Sequence, residues 1–251
     1  MKKGRPPGRR RKPSPTARVR PFWVPIAVAA LTSLGAGAFV VSWSGFRPRQ
    51  IVVTGNAIVP RAEILARAAI SGNVNMWLQN TGAIADRVRT IPYVSSARVF
   101  RLPPASIVIV VRERVPFAVV ASGDSVAAVD RDLRVLQTVA GDRPMPRFVL
   151  DVPEGALQPG RFLTEAKALA MRDDYEAMIA AHVVPLQLQY DRYDGLVATV
   201  RGNVRILFGD DGDLEKKLPL VDPILAQVVR KQQRVAAVDL RAPRTPVLVF
   251  K

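Results

Sequence analysis

Residues 21–46 read PFWVPIAVAALTSLGAGAFVVSWSGF, a run of 26 residues without a charged side chain. Trp23 and Trp43 stand near its two ends. A helix of about twenty residues rises roughly 30 Å, the thickness of a bilayer's hydrocarbon core. Tryptophan favours both borders of such a span, because its ring is apolar and its N–H seeks water. The candidate span is Phe22 to Ser44, with Phe22, Trp23, Leu31, Leu34, Phe39 and Trp43 as its lipid-facing residues. Before it lies an arm, residues 1–21, with nine Lys and Arg and no acid. That charge predicts a cytoplasmic N-terminus and places the rest of the chain across the membrane.

Two other readings of this region compete. Ala36-Gly37-Ala38 matches a signal-peptidase site, which predicts a cleaved leader. The apolar run continues to Trp43 and the arm is long for a leader, which favours a retained anchor. The basic arm could also be a nucleic-acid patch. Pro6, Pro7, Pro13 and Pro15 favour a disordered tail lying beside anionic lipid instead. Ser33, Gly35 and Gly37 could admit a second span, although small residues are common in single ones.

The formal charge of +16 overstates how basic the remainder is. Setting the nine arm residues aside leaves 28 Lys and Arg against 21 Asp and Glu, a net of +7. No basic cluster there alternates with aromatics, so no nucleic-acid partner is expected. With no cysteine, neither a disulfide framework nor a thiolate metal site is available.

Gln50–Thr54 (QIVVT) is β-branched and stops at Gly55-Asn56, which predicts a strand and turn. Helical spacing follows from Pro60 through Ile70. Thr81 is the expected N-cap of a second helix, with Ile84, Val88 and Ile91 on one face and Pro92 ending it. Trp77, in the loop between them, is expected to plug the core. Strands over 94–101 and 106–114 are joined by Leu102-Pro103-Pro104-Ala105. Beyond Pro116, short strands are expected at 117–121, 125–129, 134–137 and 148–150. A helix over 164–181 should bury Leu169, Tyr175 and Ile179. A meander over 184–190, 196–200 and 204–208 precedes a helix with Leu218, Val221, Leu225 and Val228 on one stripe. Strands at 235–240 and 247–250 close the chain. The fold class is α+β, with an N-terminal transmembrane helix, a β-α-α-β-β unit over 47–116 and a mixed β-rich unit over 117–251.

Several pieces in this order carry a resemblance. They are Val53-Thr54-Gly55, Ile91-Pro92-Tyr93-Val94, Val99 to Pro103 (VFRLP) and Glu113-Arg114-Val115-Pro116. Arg205 to Gly209, Leu214 to Leu218 and Val238 to Arg241 extend it. The first unit resembles a POTRA domain, and the chain as a whole resembles the bacterial cell-division family FtsQ/DivIB. Pro219 and Pro223 depart from the family's regular helix, so a start near Pro219 or a kink is expected. Ala242 stands where some relatives carry an aromatic, and the sequence stops at Lys251 soon after its last candidate strand.

Chemistry is sparse. His182, the single histidine, is expected at a helix C-terminus beside the dipole. Asp210, Asp211, Asp213 and Glu215 miss the EF-hand spacing and read as an acid-rich, capped helix start. Asp173 and Asp174 are helix neighbours and diverge. No phosphate loop, nucleophile elbow or metal-ligand spacing is present, so neither an enzyme nor a cofactor is expected.

The resemblance implies a non-enzymatic scaffold in the inner membrane at the division septum, single-pass, with its C-terminal part periplasmic. It implies partners among division proteins, an FtsB–FtsL type coiled coil above all. The expected docking edge is Asp239, Leu240, Arg241, Val247, Leu248, Val249 and Phe250. The alternative is a POTRA-type envelope chaperone or translocation component, which ordinarily carries tandem repeats. Self-association is left open.

Overall fold

Gly55 turns the chain at the end of β1 (Gln50–Thr54) with φ +83, and a Cβ there would lie 2.1 Å from the Val111 carbonyl oxygen. Only glycine allows that approach. Just beyond it, the Glu113 carboxylate accepts the backbone N–H groups of Ala57, Ile58 and Val59 at 3.0, 2.7 and 2.7 Å. Three donors of an otherwise unpaired turn are thereby satisfied by one side chain. The pieces Val53-Thr54-Gly55 and Glu113-Arg114-Val115-Pro116, far apart in sequence, thus meet in one joint.

The computed structural model describes residues 23–139, 144–193, 195–210 and 213–251. The basic arm, Pro21 and Phe22 therefore lie outside the described residues, as do Asp194 and Asp211. Helix α1 (Trp23–Ser42) is exposed along its length, with Pro25 in the first turn, where no N–H partner is lost. Two of its polar side chains bond to the helix itself: Thr32 Oγ1 to Val28 O at 2.9 Å, Ser42 Oγ to Ala38 O at 2.7 Å. It is long and apolar enough to cross a membrane.

A 3-10 turn at Ser44–Phe46 leads into a three-stranded sheet ordered β1-β3-β2, with β2 (Val94–Leu102) antiparallel and β1 parallel to β3 (Ser106–Glu113). Helices α2 (Arg61–Ala68) and α3 (Thr81–Arg89) cover one face. Ile64, Met76, Ile84, Val88, Ile91, Ile107 and Ile109 are fully buried or nearly so. Arg87 donates to the Ala68 carbonyl at the end of α2, tying the helices together. The N-cap of α3 is Asn80, whose Oδ1 accepts the Ala83 N–H at 3.0 Å; Thr81 is the first helical residue.

The second sheet has nine strands in the order β12-β11-β10-β9-β8-β7-β4-β5-β6. They are β4 (Ala118–Ser122), β5 (Ser125–Val129), β6 (Val135–Thr138), β7 (Arg147–Val149), β8 (Gln187–Tyr190), β9 (Leu196–Val200), β10 (Val204–Gly209), β11 (Val235–Asp239) and β12 (Val247–Phe250). The expected meander is β8-β9-β10. Helix α4 (Ala166–Ala180) crosses between the parallel neighbours β7 and β8, and α5 (Leu214–Arg230) between parallel β10 and β11. Both helices pack on one core with Phe148, Phe208, Leu133 and Met171. The architecture is the α+β arrangement expected.

Further expectations need correction. Helix α4 buries Ala168, Met171 and Met178, while Leu169 and Ile179 are exposed; only Tyr175 among the expected three packs on the core. Helix α5 begins at Leu214 and not near Pro219, with both prolines inside it. Pro219 and Pro223 lie four apart on the exposed stripe with Glu215, so the carbonyls they deprive of donors face solvent. Asp213 makes no capping bond; its carboxylate binds Lys216 Nζ at 2.6 Å instead. Trp77 is half exposed, and Met76 fills the core position. His182 does follow the end of α4, in the left-handed region at φ 64.

Candidate functional site

The nine-stranded sheet ends on β12, which pairs with β11 on one side and, among the described residues, with no strand on the other. Val247, Val249 and Phe250 are exposed, and Leu248 alone packs against the core. An uncovered apolar edge strand carries a row of unpaired main-chain donors and acceptors, a template for a further strand.

Which groups face out follows from one bond. The Lys251 N–H donates to the Arg234 carbonyl at 2.9 Å, continuing the ladder. Along an antiparallel edge strand, alternate residues turn both N–H and C=O inward or outward. Lys251, Val249 and Val247 therefore face β11, and Leu248 and Phe250 present their main-chain groups to the open edge. The register shift falls on β11, between Val235 and Ala237, so the alternation on β12 is unbroken.

Asp239, Leu240 and Arg241 occupy different places. Asp239 sits in β11, an interior strand, opposite Val247. Leu240 is wholly buried, and its N–H donates to Leu207 O at 2.9 Å, so it offers a partner no side chain. Arg241 folds back on Asp239: Nε and Nη2 reach the carboxylate at 3.0 and 2.6 Å, and the Arg241 N–H adds a third bond at 3.0 Å. The side-chain bond from Arg241 is the largest cause holding the Asp239 carboxyl below its ordinary range. The stem of Arg241 lies over Gly209, where a Cβ would come within 2.8 Å of its Cγ. That close pass explains a glycine at the end of β10. Asp191 is likewise held low, first by the N–H of Gly195 and then by that of Tyr193.

The other end of the sheet system meets the first unit. Arg114 binds Asp130 and, at 3.1 Å, Asp132, while Arg114 and Arg134 both stand over the Phe162 ring. Burial and the neighbouring Arg114 charge lower the Arg134 value.

Comparison with known proteins bears on the first sheet directly. The family model "POTRA domain, FtsQ-type" matches residues 46–114, the stretch from Phe46 to the Arg114 junction. These residues form a POTRA domain, similar to the FtsQ type. The FtsQ/DivIB resemblance is borne out by curated relatives named "Cell division protein FtsQ". One from Mycobacterium bovis is 33% identical over 126 residues, covering 50% of this chain and 40% of that protein. One from Mycobacteroides abscessus is 33% identical over 107 residues, 43% of this chain and 34% of its own length. One from Syntrophotalea carbinolica is 29% identical over 230 residues, 86% of this chain and 80% of its own length. The chain thus spans only about two fifths or less of the first two.

Sequence reasoning found the POTRA domain through Gly55, the Leu102-Pro103-Pro104-Ala105 hairpin and Glu113. It missed Asn75, Gln79 and Lys217, the buried polar residues that shape loops. A polar residue inside an otherwise apolar loop or stripe was the available signal.

Proposed function

We propose that this chain is a membrane-anchored, non-catalytic component of the bacterial division machinery that captures other division proteins by strand addition to β12. The observation that carries the reading is the open edge formed by Leu248 and Phe250 at the end of a nine-stranded sheet. The FtsQ-type POTRA domain and the names of its relatives support the setting. In this reading α1 is a single span, the N-terminus is cytoplasmic, and both sheets lie in the periplasm at the septum. The partner is an extended segment of an FtsB-like protein carried with an FtsL-like coiled coil. Main-chain bonds supply its register, and Val247, Val249 and Phe250 supply apolar contact on either side. Arg241 contributes by shaping the approach at the neighbouring loop, its charge being already matched by Asp239.

Phe250→Pro tests this directly in the full-length chain. The substitution removes an outward N–H and leaves the inward-facing residues of β12 untouched. Partner recovery from solubilised membranes should fall several-fold, as expected for one lost main-chain bond worth about 1 kcal/mol together with an aromatic contact. Undiminished recovery would place the docking surface elsewhere.

A further inference from the structure

The loop between α2 and α3 is built inside out. Asn75 and Gln79 are buried, while Val74, Trp77 and Leu78 are exposed. Each buried amide holds backbone. Gln79 Nε2 donates to Ser71 O at 2.8 Å and Val74 O at 3.1 Å, and Asn75 Oδ1 accepts the Trp77 N–H at 2.9 Å. Arg101, reaching from β2, donates to Met76 O and Gln79 O at 2.8 and 2.6 Å. Polar groups are thus used to fix a loop in which Met76 enters the core while Val74, Trp77 and Leu78 stay outside it.

The same loop grips the end of α1. Asn75 Nδ2 donates to Val40 O at 2.6 Å, one of the last-turn carbonyls that a helix leaves without an internal partner. The Met76 N–H donates to Phe46 O at 2.9 Å. Aromatic rings continue the contact. Phe39 stacks on Trp43 at 5.8 Å, Trp43 meets Phe46 edge-on at 4.7 Å, and Phe46 meets Trp77 at 6.2 Å. Arg101 covers Trp77 at 5.9 Å.

These contacts fix a depth. Residues Trp23–Val40 of α1 supply an 18-residue apolar stretch, and Trp43 lies about 4.5 Å beyond it at roughly 1.5 Å per residue. Each headgroup layer is about 5–7 Å thick. With α1 as a span, Trp43 falls within the headgroup layer, and Phe46 and then Trp77 are its successive ring neighbours. Exposed Arg47 follows at the same border. Tryptophan and arginine beside aliphatic side chains suit that layer, which is apolar at one side and charged at the other.

We infer that residues 74–78 form a second membrane contact, dipping Val74, Trp77 and Leu78 into the lipid headgroup layer beside the end of α1. The POTRA domain is then seated on the bilayer at a set orientation, and the Asn75 clamp joins span and domain into one unit. The inference rests on α1 being a membrane span.

The three tryptophans allow a test in the full-length chain reconstituted in phosphatidylcholine–phosphatidylglycerol vesicles. Trp23→Phe with Trp43→Phe leaves Trp77 as sole emitter; Trp23→Phe with Trp77→Phe leaves Trp43. Lipids spin-labelled at the headgroup should quench Trp77 at least half as strongly as Trp43, and aqueous acrylamide should quench it several-fold less than free tryptophan. Trp43 quenched by lipid with Trp77 quenched only from water would overturn the inference and leave the span intact. Neither residue quenched by lipid would overturn the span as well. Because Trp77 itself is unaltered in the first variant and Phe preserves the ring at position 43, loss of fold does not confuse the result.

Discussion

Asp130 joins the two sheets through Arg114: its Oδ2 takes the Arg114 guanidinium while its Oδ1 accepts the Arg134 N–H at 2.8 Å. Arg114 is the last residue of the POTRA match, and its own N–H donates to Tyr93 O at 2.7 Å. One arginine therefore belongs to the POTRA domain by its backbone and to the second sheet by its side chain.

Removing one member of this pair should cost more than removing both. The side chains are only 13% and 6% exposed, and Asp130→Ala leaves a buried guanidinium with the solvent-exposed Asp132 as its remaining anion. A loss of about 3–5 kcal/mol is expected in chemical denaturation. Arg114→Met together with Asp130→Leu should recover part of it, which a double-mutant cycle measures.

Gly55→Ala should destabilise the POTRA domain by about 1–3 kcal/mol, because a side chain at φ +83 is strained and its Cβ would meet the Val111 carbonyl. Denaturation followed by Trp77 fluorescence reports on it. The nine-stranded sheet should melt as before.

Lys217 is 3% exposed, with Nζ donating to Phe208 O at 2.8 Å and Asp210 O at 2.9 Å. It ties α5 to the end of β10. Lys217→Met keeps the stem and deletes both bonds. Stability should drop by roughly 1.5–3 kcal/mol, the range for hydrogen bonds to a charged group. Amide exchange should accelerate over residues 208–210.

Arg241→Gln should raise the Asp239 titration towards the ordinary aspartate value, since the Arg241 bond is the main cause of its depression. A carboxyl held low in the folded state stabilises above its unfolded value, and that contribution is lost as pH falls through the folded one. The wild type should therefore lose stability on acidification to below the ordinary carboxylate range, and the variant should lose less. Carboxyl-detected NMR with pH-dependent denaturation checks both parts.

Local chemistry made the POTRA domain readable. β-Branched runs marked its strands, Pro92 closed α3, and the double proline marked the β2–β3 hairpin. The second sheet was readable strand by strand but not in its order. Its pairings of β7 with β4 and of β10 with β11 join segments distant in sequence, and nothing local records them. Helix α4 misled because its alanines sit on every face, so Leu169 and Ile179 looked like core while Met171 and Met178 filled it. Pro219 and Pro223 argued for a start near Pro219 or a kink, whereas the helix begins at Leu214, held by packing of Leu218, Val221 and Val228. At the proposed edge, Val247, Leu248, Val249 and Phe250 were legible as a closing strand, and their docking role came from the family resemblance. The burial of Leu240 and the closure of Arg241 on Asp239 depend on a turn at the end of β11 that the sequence does not spell out.

Amide hydrogen exchange along β12, in the full-length chain alone and saturated with an FtsB-like partner, tests strand addition most directly. Without partner, Leu248 and Phe250 should exchange rapidly and Val249 slowly, since only the latter faces β11. With partner, Leu248 and Phe250 should become protected by tenfold or more, the effect of at least about 1.4 kcal/mol at each bond, while Val249 is unchanged. Equal exchange at Leu248 and Phe250 with and without bound partner would contradict the account.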